Sequence, residues 1–336
     1  MTKIAINGIG RIGKLIMRSL FDVGIDADVV LLNDPVGDAE LHAHLLEFDT
    51  VHGRWRADFA FDDDSITVDG QKMRKTAAWK IEDLPLAEMG IDVVIDCTGA
   101  FKTNAKLQPY FDAGVKKVIV SAPVKEDDVP NLVYGVNHDT YDAAKHRVIT
   151  AASCTTNCIA PVVQVIRDNL GIEQASFTTI HDVTNTQVIV DKAHKDPRRA
   201  RSALNSLIPT TTGSAKAIVQ IFPDLEGHID GMAVRVPLLN ASLTDIVFDV
   251  SRDTSVEEVN ALFKAAAEGP LEGILGYETR PLVSTDYTND DRSSIVDALS
   301  TRVVNKRHVK IYTWYDNEWG YAWRLADVTR MVVASL

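Results

Sequence analysis

The residues best suited to covalent chemistry lie in one short polar segment, SCTTNC, at positions 153–158. An apolar helical pattern follows, so Cys154 is predicted at the N-terminus of a helix, whose dipole favours a thiolate. An unperturbed cysteine is almost entirely a thiol at neutral pH, and a nearby imidazole would raise the thiolate fraction. His181 follows the predicted strand at 176–180 and is the best candidate for that imidazole. Because polar neighbours do not suit a hydrophobic core, a nucleophilic role for Cys154 is favoured.

The other two cysteines, Cys97 and Cys158, are interpreted as packed structural residues. Cys158 lies one helical turn after Cys154, but the pair lacks two further ligands at the spacing of a zinc site. No metal site is therefore predicted. Three cysteines are also too few for a disulfide framework and are typical of a protein from the reducing cytoplasm.

A glycine-rich turn with Gly8, Gly10 and Gly13 follows a predicted strand and precedes a predicted helix. In such a motif the glycines permit a tight turn, close approach of a pyrophosphate and close helix packing, and the helix N-terminus faces the phosphates. Asp34 lies 21 residues after Gly13, where a carboxylate accepts hydrogen bonds from ribose hydroxyls. Since that carboxylate repels a 2′-phosphate, NAD is favoured over NADP. The structural alternatives are a turn without ligand and an Asp34 that only caps a turn before Pro35.

The elements that would position these residues change character half-way along the chain. In the first half, short β-branched runs alternate with helical patterns, which is typical of an α/β fold with a doubly wound parallel sheet. Strands are predicted at 3–7, 28–33, 92–97 and 117–121, and a helix at 11–23. We expect an NAD-binding domain of the Rossmann type over residues 1–153.

The second half predicts an α+β catalytic domain over residues 154–318, with a mostly antiparallel sheet and helices on one face. A helix is predicted at 159–170, followed by longer β-rich segments at 174–180, 231–236, 242–250 and 309–315. The polar stretch 194–213 is predicted to be a long loop with a functional or interface role. The C-terminal residues 319–336 predict an amphipathic helix.

The composition excludes several classes of partner. A chain of 336 residues with 46% hydrophobic and 24% charged residues suits a globular protein of two domains. The net charge of -12 repels phosphate backbones, so no nucleic acid partner is expected. No apolar stretch approaches the ~20 residues of a membrane span, and the N-terminus has no export signal, so a cytoplasmic protein without a membrane partner is expected.

The sequence closely resembles glyceraldehyde-3-phosphate dehydrogenase across essentially its whole length. The matching segments are INGIGRIGK at 6–14, LLEFDTVHGRW at 45–55, SAPVKED at 121–127, YGVNHDTYD at 134–142, ASCTTNCIAP at 152–161, HKDPRRAR at 194–201, IPTTTGSAKA at 208–217, GMAVRVP at 231–237 and WYDNEWGY at 314–321. The resemblance implies a homotetramer whose C-terminal helix packs back on the cofactor domain. It also implies that the basic stretch at about 183–208 is a loop at the subunit interface.

The resemblance further implies roles for individual residues. Cys154 corresponds to the nucleophile of the family and His181 to its general base. The residues expected to bind the 3-phosphate of the substrate are Thr184, Thr186 and Arg235. The pocket for the attacking inorganic phosphate corresponds to Ser153, Thr155, Thr212 and Gly213, with Arg199 serving these anion sites. Contacts with the cofactor are expected from Arg11, Ile12, Asp34, Ser121, Asn317 and Tyr321, the last beside the nicotinamide.

The implied reaction is the oxidative phosphorylation of D-glyceraldehyde 3-phosphate to 1,3-bisphosphoglycerate with reduction of NAD. The Cys154 thiolate would add to the aldehyde, and His181 would take the hydroxyl proton as hydride leaves. The resulting thioester keeps the oxidation energy until an anion attacks it. Arginine suits the binding of such anions because its guanidinium is bidentate and permanently charged.

Two features of the resemblance bear on the coenzyme and the anion. Many NAD-specific members of the family have proline where Ala193 stands, so some NADP use is compatible with this sequence. The segments at 45–55, 237–245 and 268–278 also resemble a bacterial branch that is associated with arsenic-resistance operons. That branch implies arsenate, a tetrahedral oxyanion of similar charge, as the attacking anion and 1-arseno-3-phosphoglycerate as the product.

Other functions stay open at this point. One is erythrose-4-phosphate dehydrogenase, which relative rates on the two aldehydes would distinguish. Another is a non-phosphorylating dehydrogenase, in which water attacks the thioester and NADH forms without phosphate. The last is a dinucleotide-sensing interaction protein without turnover, against which Cys154 and His181 both argue.

Overall fold

The computed structural model describes the whole chain, residues 1–336, as two compact units. The first unit comprises Met1–Tyr134, His138–Ala152 and Ala322–Leu336. The second comprises Gly135–Asn137 and Ser153–Tyr321.

The first unit contains one eight-stranded sheet with the order β3-β4-β5-β2-β1-β6-β7-β8. The strands from β5 to β8 in this order pair in parallel, whereas β3 and β4 pair antiparallel at one edge. The doubly wound parallel sheet predicted from the alternation of elements is therefore confirmed. The strands are β1 Thr2–Asn7, β2 Ala27–Asn33, β3 Phe59–Asp62, β4 Ser65–Val68, β5 Gln71–Thr76, β6 Val93–Asp96, β7 Lys117–Val120 and β8 Val148–Thr150.

Four helices accompany this sheet before the second unit begins: α1 Arg11–Val23, α2 Ala39–Glu47, α3 Leu86–Met89 and α4 Asn104–Asp112. The central strands β6 and β7 are buried at every position, as expected for strands with both faces covered. Continuous runs of valine and isoleucine in these strands supply the apolar surface that such burial requires.

The second unit contains a second eight-stranded sheet, in which β10-β11-β9-β12-β16-β14-β13 is the main order and β15 pairs with β16. Its pairs are antiparallel except for β11 with β9 and β13 with β14, so the prediction of a mostly antiparallel sheet is confirmed. The strands are β9 Gln174–His181, β10 Ile208–Thr211, β11 Ile229–Arg235, β12 Ser242–Asp249, β13 Leu275–Glu278, β14 Ser294–Asp297, β15 Arg302–Val304 and β16 His308–Tyr315. The helices of this unit are α5 Cys154–Leu170, α6 Ser214–Ile221 and α7 Val256–Ala267. The last helix, α8 Trp319–Ala334, starts in this unit and belongs to the first unit from Ala322 onward.

Two predicted elements differ from the structure in the region that carries the chemistry. Helix α5 begins at Cys154 rather than at position 159, because the Ser153 side chain accepts a hydrogen bond from the Thr156 amide and caps the helix. The stretch 194–213, predicted as one loop, ends in strand β10, which pairs antiparallel with β11. The polar character of β10 concealed a strand whose hydrogen-bond partner comes from a distant part of the chain.

None of the helices combines the length and the apolar character that a transmembrane segment requires. The structure contains no group of three or more histidine, cysteine, aspartate or glutamate side chains that could hold a metal ion.

Candidate active site

Two elements of the second unit position the candidate nucleophile and its imidazole. Cys154 is the first residue of α5, directly after the capping residue Ser153. The chain reaches this helix through Ala152, whose φ of 52° is in the left-handed region that alanine rarely adopts. His181 is the last residue of β9, a strand paired on both sides, by β11 and β12. Both residues are therefore set at the ends of regular elements.

The cysteine and the histidine are in direct contact. Sγ of Cys154 lies 3.6 Å from Nε2 of His181. Burial opposes the thiolate, but the hydrogen bond and the positive charge of His181, and the charge of Arg235, outweigh it and lower the pKa of the Cys154 thiol. Burial likewise opposes the imidazolium, whereas hydrogen bonds to Asp182 and Cys154 favour it and raise the pKa of His181 to about 9. The two shifts together favour a thiolate–imidazolium pair.

Tyr315, the last residue of β16, packs against the histidine of this pair. Its ring meets the His181 ring edge-on, with the centroids 6.0 Å apart. Its buried hydroxyl lies 3.0 Å from Oγ1 of Thr155 and 2.8 Å from Oγ1 of Thr179. The hydroxyl of Thr155, which is expected to contact an anion, is thus engaged by Tyr315 and lies 3.9 Å from Sγ of Cys154.

Arg235, the last residue of β11, brings a guanidinium next to the His181 ring. Its Nη1 donates to the carbonyl oxygen of Asp182 at 3.0 Å and lies 2.6 Å from Nδ1 of His181. Its Nε is buried and has no hydrogen-bond partner. A buried N–H without an acceptor is costly, and a bound oxyanion would supply the missing acceptor. Arg235 therefore has the chemistry of an anion-binding residue beside the His181 ring.

A second group of predicted anion-binding residues lies on the segment after β9. The hydroxyls of Thr184 and Thr186 are 2.9 Å apart, and both side chains are exposed. Nη1 of Arg199 lies 3.5 Å from Oγ1 of Thr186, while its Nε donates to Oγ1 of Thr210 at 2.8 Å. The structure thus brings Thr184, Thr186 and Arg199 into one polar cluster.

The remaining residues of the expected phosphate pocket lie at the starts of two helices. Ser153 caps α5, and its hydroxyl lies 2.7 Å from Oγ1 of Thr156. Gly213 is the N-cap of α6 and has open space where a Cβ would be. Oγ1 of Thr212 accepts a hydrogen bond from the amide of Ser214 at 3.2 Å. Helix N-termini with small or hydroxyl residues suit an oxyanion.

The glycine-rich turn of the first unit has the geometry that its sequence predicts. Gly8 has a φ of 89°, and a Cβ on it would come within 2.8 Å of the Cys97 carbonyl carbon. A Cβ on Gly13 would lie 2.0 Å from the carbonyl oxygen of Gly8. Gly10, the N-cap of α1, has no atom within 4 Å of its Cβ position and no side-chain cap. The turn is therefore tight at two glycines and open at the helix N-terminus, which fits a pyrophosphate at Gly10.

Asp34 is held directly beside this turn. Its Oδ2 accepts from the Ile9 amide at 3.1 Å and its Oδ1 from the Val36 amide at 3.1 Å. Arg11 opens helix α1 and forms an ion pair with Asp49. Ile12 follows it in the first turn of the helix, and Ser121 comes directly after β7, where its amide donates to the carbonyl of Asp96.

The other two residues predicted to contact the cofactor, Asn317 and Tyr321, belong to the second unit and are both buried. Nδ2 of Asn317 donates to Oδ2 of Asp182 at 2.9 Å, and its Oδ1 accepts from Ser242 at 3.0 Å. Asn317 is therefore joined to the surroundings of His181 through Asp182.

Sequence reasoning did not single out Asp182, Ser242 or Tyr315, although all three contact the candidate site. Asp182 follows His181 directly, so a carboxylate next to the candidate imidazole was the available signal. Tyr315 lies inside the segment WYDNEWGY, but its contact with Thr155 joins positions 160 apart. Only the pairing of β12 and β16 with their neighbours makes these contacts visible.

Comparisons with known proteins match segments of both units. Residues 2–104 match the family profile described as glyceraldehyde 3-phosphate dehydrogenase, NAD binding domain. Residues 153–317 match the profile described as glyceraldehyde 3-phosphate dehydrogenase, C-terminal domain. Together these two matches cover most of the chain.

Several full-length relatives are similar to this chain. Glyceraldehyde-3-phosphate dehydrogenase 3 of Nostoc sp. is 55% identical over 335 residues, which is 99% of each chain. Glyceraldehyde-3-phosphate dehydrogenase 1 of Bacillus cereus is 47% identical over 98% of this chain and 97% of its own. The glyceraldehyde-3-phosphate dehydrogenase of Geobacillus stearothermophilus is 46% identical over 99% of this chain and 98% of its own.

Proposed function

This chain belongs to the glyceraldehyde-3-phosphate dehydrogenase family, and on that premise we propose that it works through a covalent thioester on Cys154. As a member of the family it is an NAD-dependent dehydrogenase that oxidises glyceraldehyde 3-phosphate. The observation that carries the covalent route is the 3.6 Å contact between Sγ of Cys154 and Nε2 of His181. A thiolate paired with an imidazolium is both a strong nucleophile and the neighbour of a proton carrier.

The first step is addition of the Cys154 thiolate to the aldehyde carbon. The carbonyl oxygen takes a proton from His181, which leaves a thiohemiacetal and a neutral imidazole. That imidazole then accepts the hydroxyl proton while a hydride leaves the same carbon, and the product on Cys154 is a thioester. His181 therefore ends this step protonated, with its Nε2 3.6 Å from the sulfur at which the acyl group will be released.

The residues present fit NAD at the turn of the first unit. The open N-terminus of α1 at Gly10 would hold the pyrophosphate, and Asp34 would accept from the ribose hydroxyls. When bound, NAD supplies the acceptor for the hydride. The carboxylate of Asp34 also disfavours a 2′-phosphate, which supports NAD as the principal coenzyme.

An oxyanion completes the reaction by attacking the thioester carbon and releasing Cys154 as a thiolate. The unpartnered Nε of Arg235 and the cluster of Thr184, Thr186 and Arg199 supply donors for the phosphate groups involved. We assign these donors jointly to the 3-phosphate of the substrate and to the attacking anion. The product with inorganic phosphate is 1,3-bisphosphoglycerate, and with arsenate it is 1-arseno-3-phosphoglycerate.

The decisive experiment follows NAD reduction on glyceraldehyde 3-phosphate in wild type and in Cys154→Ser, with phosphate, with arsenate and with neither. We expect sustained NADH formation with either oxyanion and, with neither, one burst equivalent to the enzyme sites. Cys154→Ser should lose at least about 10³-fold in rate, because a hydroxyl is a poor nucleophile without its thiolate chemistry.

Other outcomes identify the alternatives. Sustained turnover without any oxyanion would indicate hydrolysis of the thioester and hence a non-phosphorylating dehydrogenase. A faster rate on erythrose 4-phosphate would assign that aldehyde as the substrate. Full activity in Cys154→Ser would exclude the covalent route altogether.

A further inference from the structure

A buried carboxylate lies on the far side of the His181 ring from Cys154. The side chain of Asp182 is 1% exposed, and its Oδ1 lies 2.7 Å from Nδ1 of His181. Its Oδ2 accepts from Nδ2 of Asn317 at 2.9 Å, and the Ser242 hydroxyl lies 3.3 Å from Oδ1. A carboxylate is costly to bury unless donors surround it, and here the histidine ring is one of those donors.

The oxygens around Nδ1 determine which ring nitrogen carries the proton. The carbonyl oxygen of Asp182 lies 2.9 Å from Nδ1, in addition to the carboxylate at 2.7 Å. Both oxygens are acceptors, so they would face a lone pair if Nδ1 were unprotonated. Nη1 of Arg235 also approaches Nδ1 but donates to the Asp182 carbonyl at 3.0 Å. Nδ1 therefore keeps its proton, and Nε2 is the atom that exchanges a proton at the sulfur side.

We propose that Asp182 is a positioning residue that completes a Cys154–His181–Asp182 chain, holding the imidazole in its productive tautomer and stabilising the imidazolium. The inference rests on the proposed roles of Cys154 and His181. It is the arrangement in which a nucleophile meets a base whose other nitrogen is oriented by a carboxylate. Asn317 holds the carboxylate in turn, so its position does not depend on the histidine alone.

The direction in which Asp182 shifts the pKa of His181 follows from the charged and titratable groups that face the ring. These are Cys154 on α5, Asp182 after β9, Arg235 on β11 and Tyr315 on β16. Asp182 and the Cys154 thiolate favour the imidazolium, and Arg235 opposes it. Removal of the Asp182 charge should therefore let His181 lose its proton at a lower pH, while its backbone carbonyl still accepts from Nδ1.

The test measures the rate of Cys154 alkylation by iodoacetamide against pH in the full-length protein, with the Cys154 peptide followed by mass spectrometry. Two transitions are expected, one for thiolate formation and a higher one for loss of the imidazolium. Asp182→Asn should lower the upper transition by about one pH unit or more. It should also lower kcat about 10- to 100-fold with KM for glyceraldehyde 3-phosphate within about twofold, since orientation of the base acts on the chemical step.

Ser242→Ala is the matched control, because it removes the acceptor of the Asp182 backbone amide and a donor to Asn317 but leaves the carboxylate on Nδ1. We expect its upper transition to coincide with that of wild type. An Asp182→Asn profile and kcat equal to wild type would overturn the proposal, and so would an equal shift in Ser242→Ala, which would indicate a structural effect.

The wild-type protein tests the role of Asp182 even if the variants do not fold. If the upper transition of its alkylation profile lay at or below about pH 6.5, the ordinary value for histidine, the role of Asp182 would be excluded. Failure of the underlying mechanism is distinguishable, because it would appear as activity retained in Cys154→Ser. An inactive Cys154→Ser together with a wild-type-like Asp182→Asn would reject only the role of Asp182.

Discussion

Sγ of Cys154 and Nε2 of His181 lie 3.6 Å apart although 27 positions separate the two residues in the chain. The contact exists because the N-terminus of α5 meets the end of β9 inside one unit. Neither side chain can shift its proton affinity without the other, so their titrations belong to the pair. This coupling sets the pH dependence of the reactivity of Cys154.

The pH dependence of alkylation should show a thiolate that forms at a lower pH than that of an ordinary cysteine. Burial opposes this thiolate, but the hydrogen bond and charge of His181 and the charge of Arg235 outweigh it and lower the pKa of Cys154. The pKa of His181 is raised to about 9, so the imidazolium is present below that pH and is lost as the pH rises through it. We expect substantial iodoacetamide alkylation of Cys154 at neutral pH.

Cys158 is an internal control, because burial raises the pKa of its thiol to about 12. A Cys154 profile with one transition near that of free cysteine would contradict the pairing.

Substitution by alanine should affect stability at Gly13 and NAD affinity at Gly10, two glycines of the same turn. In Gly13→Ala the new Cβ meets the Gly8 carbonyl oxygen at 2.0 Å, so the backbone must move and we expect a loss of about 3 kcal/mol in the free energy of unfolding. In Gly10→Ala the Cβ enters open space, so only the cost of alanine at an N-cap remains and the free energy of unfolding should fall by about 1 kcal/mol or less. NAD affinity should nevertheless fall about tenfold or more in Gly10→Ala, because the methyl group occupies the approach of the pyrophosphate. Denaturant unfolding and NAD titration measure the two quantities. Equal stability losses in both variants would contradict this assignment.

The coenzyme preference should depend on the charge of Asp34. Asp34→Asn keeps an acceptor for the Ile9 amide but removes the negative charge. We expect KM for NAD to rise about tenfold and the ratio of activity with NADP to that with NAD to rise by at least a similar factor, because repulsion of the 2′-phosphate is removed. Asp38→Asn is the control, since asparagine also caps a helix and Asp38 caps α2. A preference for NADP in the wild-type protein would show that Asp34 does not set the selectivity.

A cluster of exposed apolar side chains predicts self-association. Ile189, Val190, Leu204 and Leu207 are each between 67% and 75% exposed within the stretch implied to form a subunit interface. Exposed apolar patches often mark an interface. Because the family resemblance implies four copies, we expect a homotetramer of 36.9 kDa chains by light scattering. Leu207→Asp should shift the protein towards smaller species. The control is Val304→Asp, which places the same charge on β15 at a side chain 59% exposed. It should leave the oligomeric state unchanged. A monomeric wild-type protein would exclude this assembly.

The prediction from sequence succeeded where local pattern determines structure. Helix α1 spans the predicted residues 11–23, because a glycine turn starts it and Gly24, with a φ of 63°, ends it. The first and second strands were also located within one residue at each end, since apolar runs are buried in both. These features depend on neighbours in the chain and are therefore readable from it.

Prediction failed where a distant segment supplies the partner. Strand β10 was assigned to a loop because its hydrogen bonds come from β11, more than twenty positions later. The contact of Tyr315 with Thr155 depends on the order β9-β12-β16 in the second sheet. No periodicity in the local sequence reports such pairings.

The amino-acid sequence by itself determined the two fold classes and the tight glycine turn, and it predicted Cys154 and His181 as the candidate nucleophile and imidazole. These follow from residue type and short spacing, which act through backbone geometry and local charge. Only the tertiary structure decided that Asp182 faces Nδ1 of His181 and that Arg235 has an unpartnered Nε beside it. Proton affinity and anion binding depend on distances between atoms and on exclusion of water, and folding alone sets both.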